Sequence, residues 1–347
     1  MEKQKTLSGG LLLGGTHFLV DFCCTAILTC LSLQVSGETL LICAIVYNGL
    51  AFAFQLPLGA LADLLRLSRG FCAFGCLLVA IAPFLPAPIL VSALLGLGNA
   101  CFHVGGGREA LHRGGKKAGF VGHFVAPGAI GIFLGPLCAK LSWPIHIIAP
   151  VSLSLCAFLF LLTHNDGKRA EALQFPAQPL GAGQLATMMT CMFLTVLLRA
   201  YMGTIIHYDF QAFPLLSALF VLCIFGGKFF GGTLADRFGA FPFSLCAQLS
   251  ATVLFVLSLW VPWCAYPAIF LFNTTMAITA HKLYVAVPSW AGTMFGLTTL
   301  ALFLGSVPKL IGMESPFFTG WGLLLLGLLS TALLLTGLHM GREAKDA

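Results

Sequence analysis

The stretch "GGKFFGGTLADRFG" (Gly226–Gly239) sets Lys228, Asp236 and Arg237 into a chain that carries few charges. A second stretch, "FQLPLGALADLLR" (Phe54–Arg66), holds the same G-x-L-A-D core. Gly59 matches Gly232 and Asp63 matches Asp236, each at an offset of 173 residues. The chain has 347 residues, so the offset is half its length. One unit is written twice, and a repeat of that size governs how the rest is read.

Composition sets the class. Hydrophobic residues make up 59% of the chain and charged residues 9%, where a soluble domain carries about 25% charged residues. The mean hydropathy is +0.97. A bilayer crossing needs about 20 mostly apolar residues, and this chain supplies such runs one after another. It is therefore an all-α, polytopic membrane protein. The 31 Phe and 39 Gly suit lipid-facing surfaces and close helix crossings.

Twelve spans are predicted, over residues 9–32, 39–63, 70–88, 90–107, 117–140, 144–164, 183–206, 211–234, 240–260, 263–281, 286–309 and 318–340. One long polar linker, "HNDGKRAEALQFPAQP" (His164–Pro179), lies in the middle. The predicted organisation is a six-helix bundle over 1–164, a cytoplasmic linker over 165–179 and a second six-helix bundle over 180–347. With both termini inside, 14 of the 18 Lys and Arg fall in cytoplasmic loops, as the positive-inside rule requires. The net charge of +6 is then topogenic and implies no nucleic-acid partner.

Several alternatives fall away. The N-terminal apolar run holds His17 and Asp21 and has no small-x-small cleavage site, so it reads as a first helix and not a signal peptide. The 13 Cys lie almost entirely within spans, without C-x-x-C spacing, which argues against a disulfide framework. No metal site and no cofactor are expected: His17, Asp21, Cys101 and His103 offer ligand atoms but form no compact set in sequence. Gly105–Gly107 is not a phosphate loop, having neither a preceding strand nor G-K-[ST] after it. Those glycines are expected to loosen the inner end of helix 4, with Arg108 and Glu109 entering the loop. No Ser-His-Asp or H-E-x-x-H pattern suggests an enzyme.

Ionisable groups inside spans are costly and mark function. Asp21 is the one acid placed deep in a helix, with His17 one turn earlier on the same face. A carboxyl in low dielectric favours its neutral form, so the pair is a candidate proton-coupling site. A structural hydrogen bond to a neighbouring helix is the alternative. Arg199 and Lys228 are the deep cations and candidate grips for an anionic substrate, Arg by a bidentate fork. The competing reading pairs one of them with Asp21. Gln55 sits eight residues before Asp63, as Lys228 sits eight before Asp236. Asn48 with Gln55, Asn99 with His103, and His123, four residues before Pro127, line up along their helices; Asn48, Gln55, Asn99, His103 and His123 complete the candidate substrate set.

The G-x-L-A-D segments resemble motif A of the major facilitator superfamily, found after helices 2 and 8. The second copy, Gly232 to Gly239, is a close match; in the first, Leu64 replaces the usual Arg. The resemblance implies two pseudo-symmetric six-helix bundles and a conformational latch at Asp63, Arg66, Asp236 and Arg237. "AGFVGHFVAPGAIGIFLGPLCAKL" (Ala118–Leu141) parallels "AGTMFGLTTLALFLGSVPKL" (Ala291–Leu310). Within the former, Gly131, Gly135 and Pro136 resemble part of motif C, associated with proton-coupled antiporters; close helix packing is the plainer reading. "THFLVDF" (16–22), "GLGNACFHVGGGREA" (96–110) and "LLRAYMGTI" (197–205) resemble the fosmidomycin-resistance, drug-efflux branch.

What the resemblance implies is a monomeric, proton-coupled transporter in a bacterial cytoplasmic membrane, exporting a small organic solute or drug, with organic anions among the candidates, by alternating access. Uptake or facilitated movement of an organic anion, a divalent metal carrier, and a non-transporting receptor or scaffold are the alternatives.

Overall fold

Among the described residues every regular element is helical. The computed structural model describes residues 2–165, 168 and 180–340, with backbone alone over 2–8. The predicted linker lies almost wholly outside them. In chain order the helices are α1 (Glu2–Ser32), α2 (Gly37–Asn48), α3 (Gln55–Leu65), α4 (Ser68–Ile81), α5 (Pro88–Gly114), α6 (Gly119–Lys140) and α7 (Ile145–Leu162). They continue as α8 (Ala182–Ile205), α9 (Pro214–Phe238), α10 (Ala240–Leu257), α11 (Ala265–Asn273), α12 (Met276–Ala286), α13 (Ala291–Leu310) and α14 (Gly320–Met340).

Among the described residues ten helical runs are long and apolar enough to cross a membrane, α2 and α3 counting as one. The other two predicted spans, 70–88 and 263–281, fall on the short apolar helix Ser68–Phe84 and on the interrupted pair α11–α12. Large apolar side chains cover the outside; Trp321 is 85% exposed and Val151 66%. Such a surface suits lipid and not water, and the protein is an integral membrane protein.

Both interruptions have local causes. Between α2 and α3 a π turn runs Gly49–Ala53, with the Phe54 N–H donating to the Gly49 carbonyl at 3.1 Å. Pro57 follows, and its ring has no N–H for the Ala53 carbonyl, so the ladder is already broken there. Between α11 and α12, Thr274 and Thr275 turn their hydroxyls back onto the Leu271 and Phe272 carbonyls at 2.6 and 3.3 Å. Such bonds compete with the backbone ladder. The tenth predicted span therefore runs on to Ala286 instead of stopping at 281.

The chain packs as two units. One comprises Met1–Arg113, Pro127–Gln174 and Ser289–Leu300; the other comprises Gly114–Ala126, Phe175–Pro288 and Ala301–Ala347. The segments Gly114–Ala126 and Ser289–Leu300 thus group away from their own sequence half. In the first unit α4 lies along α7, and α1 packs on both. Gly75 of α4 meets Gly98 of α5 so closely that a Cβ on either would strike the other's backbone. Lipid tails are as apolar as leucine, so small residues at the crossing supply the packing energy. In the second unit α14 packs on α8 and α10, and α11 on α9 and α10. Met202, Phe220, Phe255, Tyr266 and Phe272 belong to its core.

Candidate functional site

α1 and α5 bring four polar side chains together inside the first unit. Asp21, His17, Asn99 and His103 are 6%, 4%, 2% and 9% exposed. Asn99 Nδ2 donates to Asp21 Oδ1 at 3.1 Å. His17 Nε2 lies 3.1 Å from Asp21 Oδ2 and 2.9 Å from His103 Nε2. His103 Nε2 is 3.6 Å from Asp21 Oδ1. The hydrogens follow from the partners. His103 Nδ1 is 2.9 Å from the Asn99 carbonyl oxygen; a carbonyl only accepts, so Nδ1 carries its hydrogen and Nε2 of the neutral ring offers a lone pair. His17 Nε2 then faces two acceptors and donates one hydrogen between them. The His17 N–H thus lies between a carboxylate oxygen and a second imidazole nitrogen.

α6 closes this cluster. A Cβ at Gly128 would land on Asp21 Oδ2 and His17 Nε2. Gly131 and Gly135 abut the α1 backbone, at Phe18 and Phe22. Any side chain at these three positions would push α6 away from α1.

The two motif aspartates each hold the start of a helix. Asp63 Oδ1 accepts the Gly292 N–H at 2.9 Å and Arg108 Nε at 2.8 Å; its Oδ2 accepts the Thr293 N–H at 2.8 Å and the Thr293 hydroxyl at 2.9 Å. It therefore caps α13. Asp236 accepts the Ala118 and Gly119 N–H groups at 2.8 and 2.9 Å and caps α6. The 173-residue offset carries through: Asp63 and Asp236, Gly119 and Gly292, Gly59 and Gly232 all obey it. Gly59 touches Gly292, and Gly232 touches Ala118 and Gly119. Free N–H groups and the positive end of the helix dipole both favour a carboxylate there. Arg66 is exposed and ends α3 in the left-handed region at φ 54°. Arg237 lies over the Phe238 ring at 5.4 Å.

The expectation for Gly105–Gly107 is corrected. α5 runs unbroken to Gly114, Gly105 packs against Ser68 and Cys72, and Gly107 packs against Phe295. Arg108 and Glu109 are therefore buried in the helix, at 1% and 0% exposure, and do not enter a loop. Arg108 also donates to the Ser68 hydroxyl at 2.7 Å. Glu109 takes Arg69 at 2.7–3.0 Å and Arg113 at 2.7 Å, while Arg69 donates to the Thr163 carbonyl at the end of α7 at 2.7 Å. Sequence reading missed this network. The spacing Arg108-Glu109-x-x-x-Arg113 and the missing Arg at Leu64 were the available signals.

By sequence the chain matches no family profile and no curated relative. By structure it superposes on the E. coli fucose:proton symporter FucP with a TM-score of 0.62 and 14% identity, covering 96% of this chain and 99% of that one. FucP in its outward conformation gives 0.58 and 13%, with 97% and 98% coverage. The human organic anion transporter MFSD10 (TETRAN) gives 0.60 and 16%, with 98% and 99% coverage. The fold is that of the major facilitator superfamily.

On this major facilitator fold the remaining predicted residues are distributed as follows. Arg199 of α8 is 7% exposed and donates to the Thr275 hydroxyl at 3.3 Å; Gln248 donates to the same oxygen at 2.7 Å. Lys228 is half-buried on α9. His123 stacks on Phe229, with centroids 4.4 Å apart, and lies 3.4 Å from the Thr233 hydroxyl. Gln55 is fully buried and donates to the Ala51 carbonyl at 2.6 Å; its Oε1 has no partner among the described residues. Asn48 donates to the Ala44 carbonyl of its own helix at 2.8 Å. Pro136 lies inside α6. The cysteines are free thiols. The expectation of no compact ligand set is overturned: one donor atom each from His17, Asp21 and His103 lies within 4.8 Å of the others. Cys101, on the intervening turn of α5, is not in that group.

Proposed function

We propose that the protein is a proton-coupled secondary transporter that exports a small organic anion or drug across a bacterial cytoplasmic membrane by alternating access, with both termini inside. The observation that carries the reading is the buried Asp21–His17–His103–Asn99 cluster within a fold shared with transporters. Adding a proton changes a net carboxylate charge to zero inside a buried cluster, where screening is weak. The same atoms touch Gly128 of α6, so the change in charge and hydrogen bonding is felt directly at the α1–α6 contact. That contact is a physical route from proton binding to helix movement. Arg199 is the group we assign to the substrate. Its neighbour Thr275 is neutral and no carboxylate pairs with it among the described residues, so a substrate carboxylate, phosphonate or sulfonate would bring a countercharge to the buried guanidinium. Export as the direction rests on the motif C resemblance around Gly131 and Gly135.

The test is flux in proteoliposomes under an imposed pH gradient, wild type beside Asp21→Asn. The variant mimics a permanently protonated carboxyl. It is expected to lose pH-driven accumulation while keeping substrate exchange, which needs no net proton movement. A variant that accumulates substrate at the wild-type rate would overturn the assignment of Asp21. Arg199 also suits a second reading, proton-coupled uptake of an organic anion, and reversing the gradient in the same vesicles separates the two. A scaffold would show no flux at all.

A further inference from the structure

The Asp21–His17–His103 cluster offers a second chemistry. His17 Nε2 and His103 Nε2 are 2.9 Å apart while their ring centroids are 4.5 Å apart, at an interplanar angle of 85°. The rings therefore aim the same nitrogen at one point. Asp21 Oδ2 lies 3.1 Å from His17 Nε2, and Asp21 Oδ1 lies 3.6 Å from His103 Nε2. Metal bonds of about 2.0–2.1 Å put the donor atoms of a tetrahedral site about 3.3 Å apart, and those on a right-angled face about 3.0 Å apart. The two edges at His17 Nε2, 2.9 and 3.1 Å, match the right-angled face; His103 Nε2 lies 3.6 Å from the other carboxylate oxygen, and one donor atom from each residue falls within 4.8 Å of the others, so a small closing movement completes the set.

We propose that His17 Nε2, His103 Nε2 and the Asp21 carboxylate form a binding site for a borderline divalent transition cation of the Zn2+ type. Two imidazoles and one carboxylate are the ligand set of sites that keep an open coordination position. Partners outside the set fix the ligands, as metal sites require. The Asn99 carbonyl takes the Nδ1 hydrogen of His103 and so leaves Nε2 unprotonated. The Asn99 amide holds one carboxylate oxygen at 3.1 Å and leaves the other to the cation. Asn99 Oδ1 is buried with no partner among the described residues, and a water on the cation would supply the donor it lacks. Gly128 leaves room: a Cβ there would occupy the space beside Asp21 Oδ2 and His17 Nε2. Binding requires the His17 hydrogen to move from Nε2 to Nδ1, so that both imidazoles ligate as neutral rings and the carboxylate meets part of the cation's charge. The site stands on these distances and needs no transport to exist.

Equilibrium binding to the purified, tag-free protein in detergent tests it. Cobalt(II) is the probe, followed by its visible ligand-field absorption, with bound metal counted by elemental mass spectrometry after dialysis. One cobalt per chain is expected, displaced by zinc. His103→Gln and Asp21→Asn are expected to weaken binding more than 100-fold, and Asn99→Ala by about 10–100-fold. Gly128→Ala keeps all three donors and is expected to lose the metal by filling its space. His146→Gln, an exposed histidine outside the cluster, is expected to bind as wild type does. Each variant is compared as a monodisperse species on size exclusion. Wild type that takes up no cobalt, or that binds it no better than His103→Gln, overturns the proposal. Because no flux is measured, that outcome would leave the transport reading standing.

Discussion

Replacing Asp63 with Asn removes a charge and half of the acceptor capacity at the α13 start while keeping the side-chain shape. The native carboxylate accepts four hydrogen bonds, from Gly292 N, Thr293 N, the Thr293 hydroxyl and Arg108 Nε, all at 2.8–2.9 Å. Asn keeps one acceptor oxygen. Its amide nitrogen then faces either Thr293 N–H or Arg108, donor against donor. Arg108 is 1% exposed, and breaking a buried pair from one side costs about 3–5 kcal/mol. That is about two to three and a half orders of magnitude in the equilibrium for releasing α13. Asp236 makes two such bonds from an exposed position. For Asp236→Asn we expect about 1–2 kcal/mol, or roughly tenfold. The assay is pulsed electron resonance between non-canonical spin labels at exposed sites, Leu64 with Trp290 for the first latch and Lys116 with Phe238 for the second. Asp63→Asn should move most of the distance distribution and Asp236→Asn a minor part. An unchanged distribution for Asp63→Asn, or equal shifts for the two variants, would refute the reasoning.

Three further outcomes are expected. Glu109→Gln strips the carboxylate from both Arg69 and Arg113; at about 3–5 kcal/mol it should lower the thermal midpoint in detergent by several degrees, and an unchanged midpoint would count against a structural role. Gly131→Val drives a side chain into the Phe18 carbonyl and should abolish monodisperse protein, whereas Gly183→Ala, with nothing within 4 Å, should be silent. Arg199→Lys keeps the charge but loses the fork; the KM for a transported anion should rise about tenfold or more with a smaller change in maximal flux, and an unchanged KM would remove Arg199 from the substrate site.

Part of the site was legible because helical geometry is local. His17 and Asp21 share a face by their spacing of four, and so do Asn99 and His103. That these two faces meet was not legible, since nothing in one helix states which neighbour it packs against. Asn99 and His103, read as candidate substrate residues, meet Asp21 and His17 in the fold. Arg108 and Glu109 misled for a related reason. Three glycines before two charges read as a helix end in isolation, because glycine is a poor helix former. In the fold the same glycines let α5 approach α4 and the α13 segment, and the charges are buried with partners from α3 and α4.

By itself the sequence determined the solvent, the helices and the duplication. Apolar runs of membrane length have few other solutions, since every backbone polar group must be satisfied within its own segment. An offset of 173 residues can be read without coordinates. Only the tertiary structure decided which helix start each motif aspartate holds, and that Asp21 meets His17, His103 and Asn99. Carboxylates bind whatever N–H groups and imidazoles packing brings within about 3 Å. Packing is set by glycine contacts, such as Gly59 on Gly292 and Gly128 on Asp21, that link residues far apart in the chain.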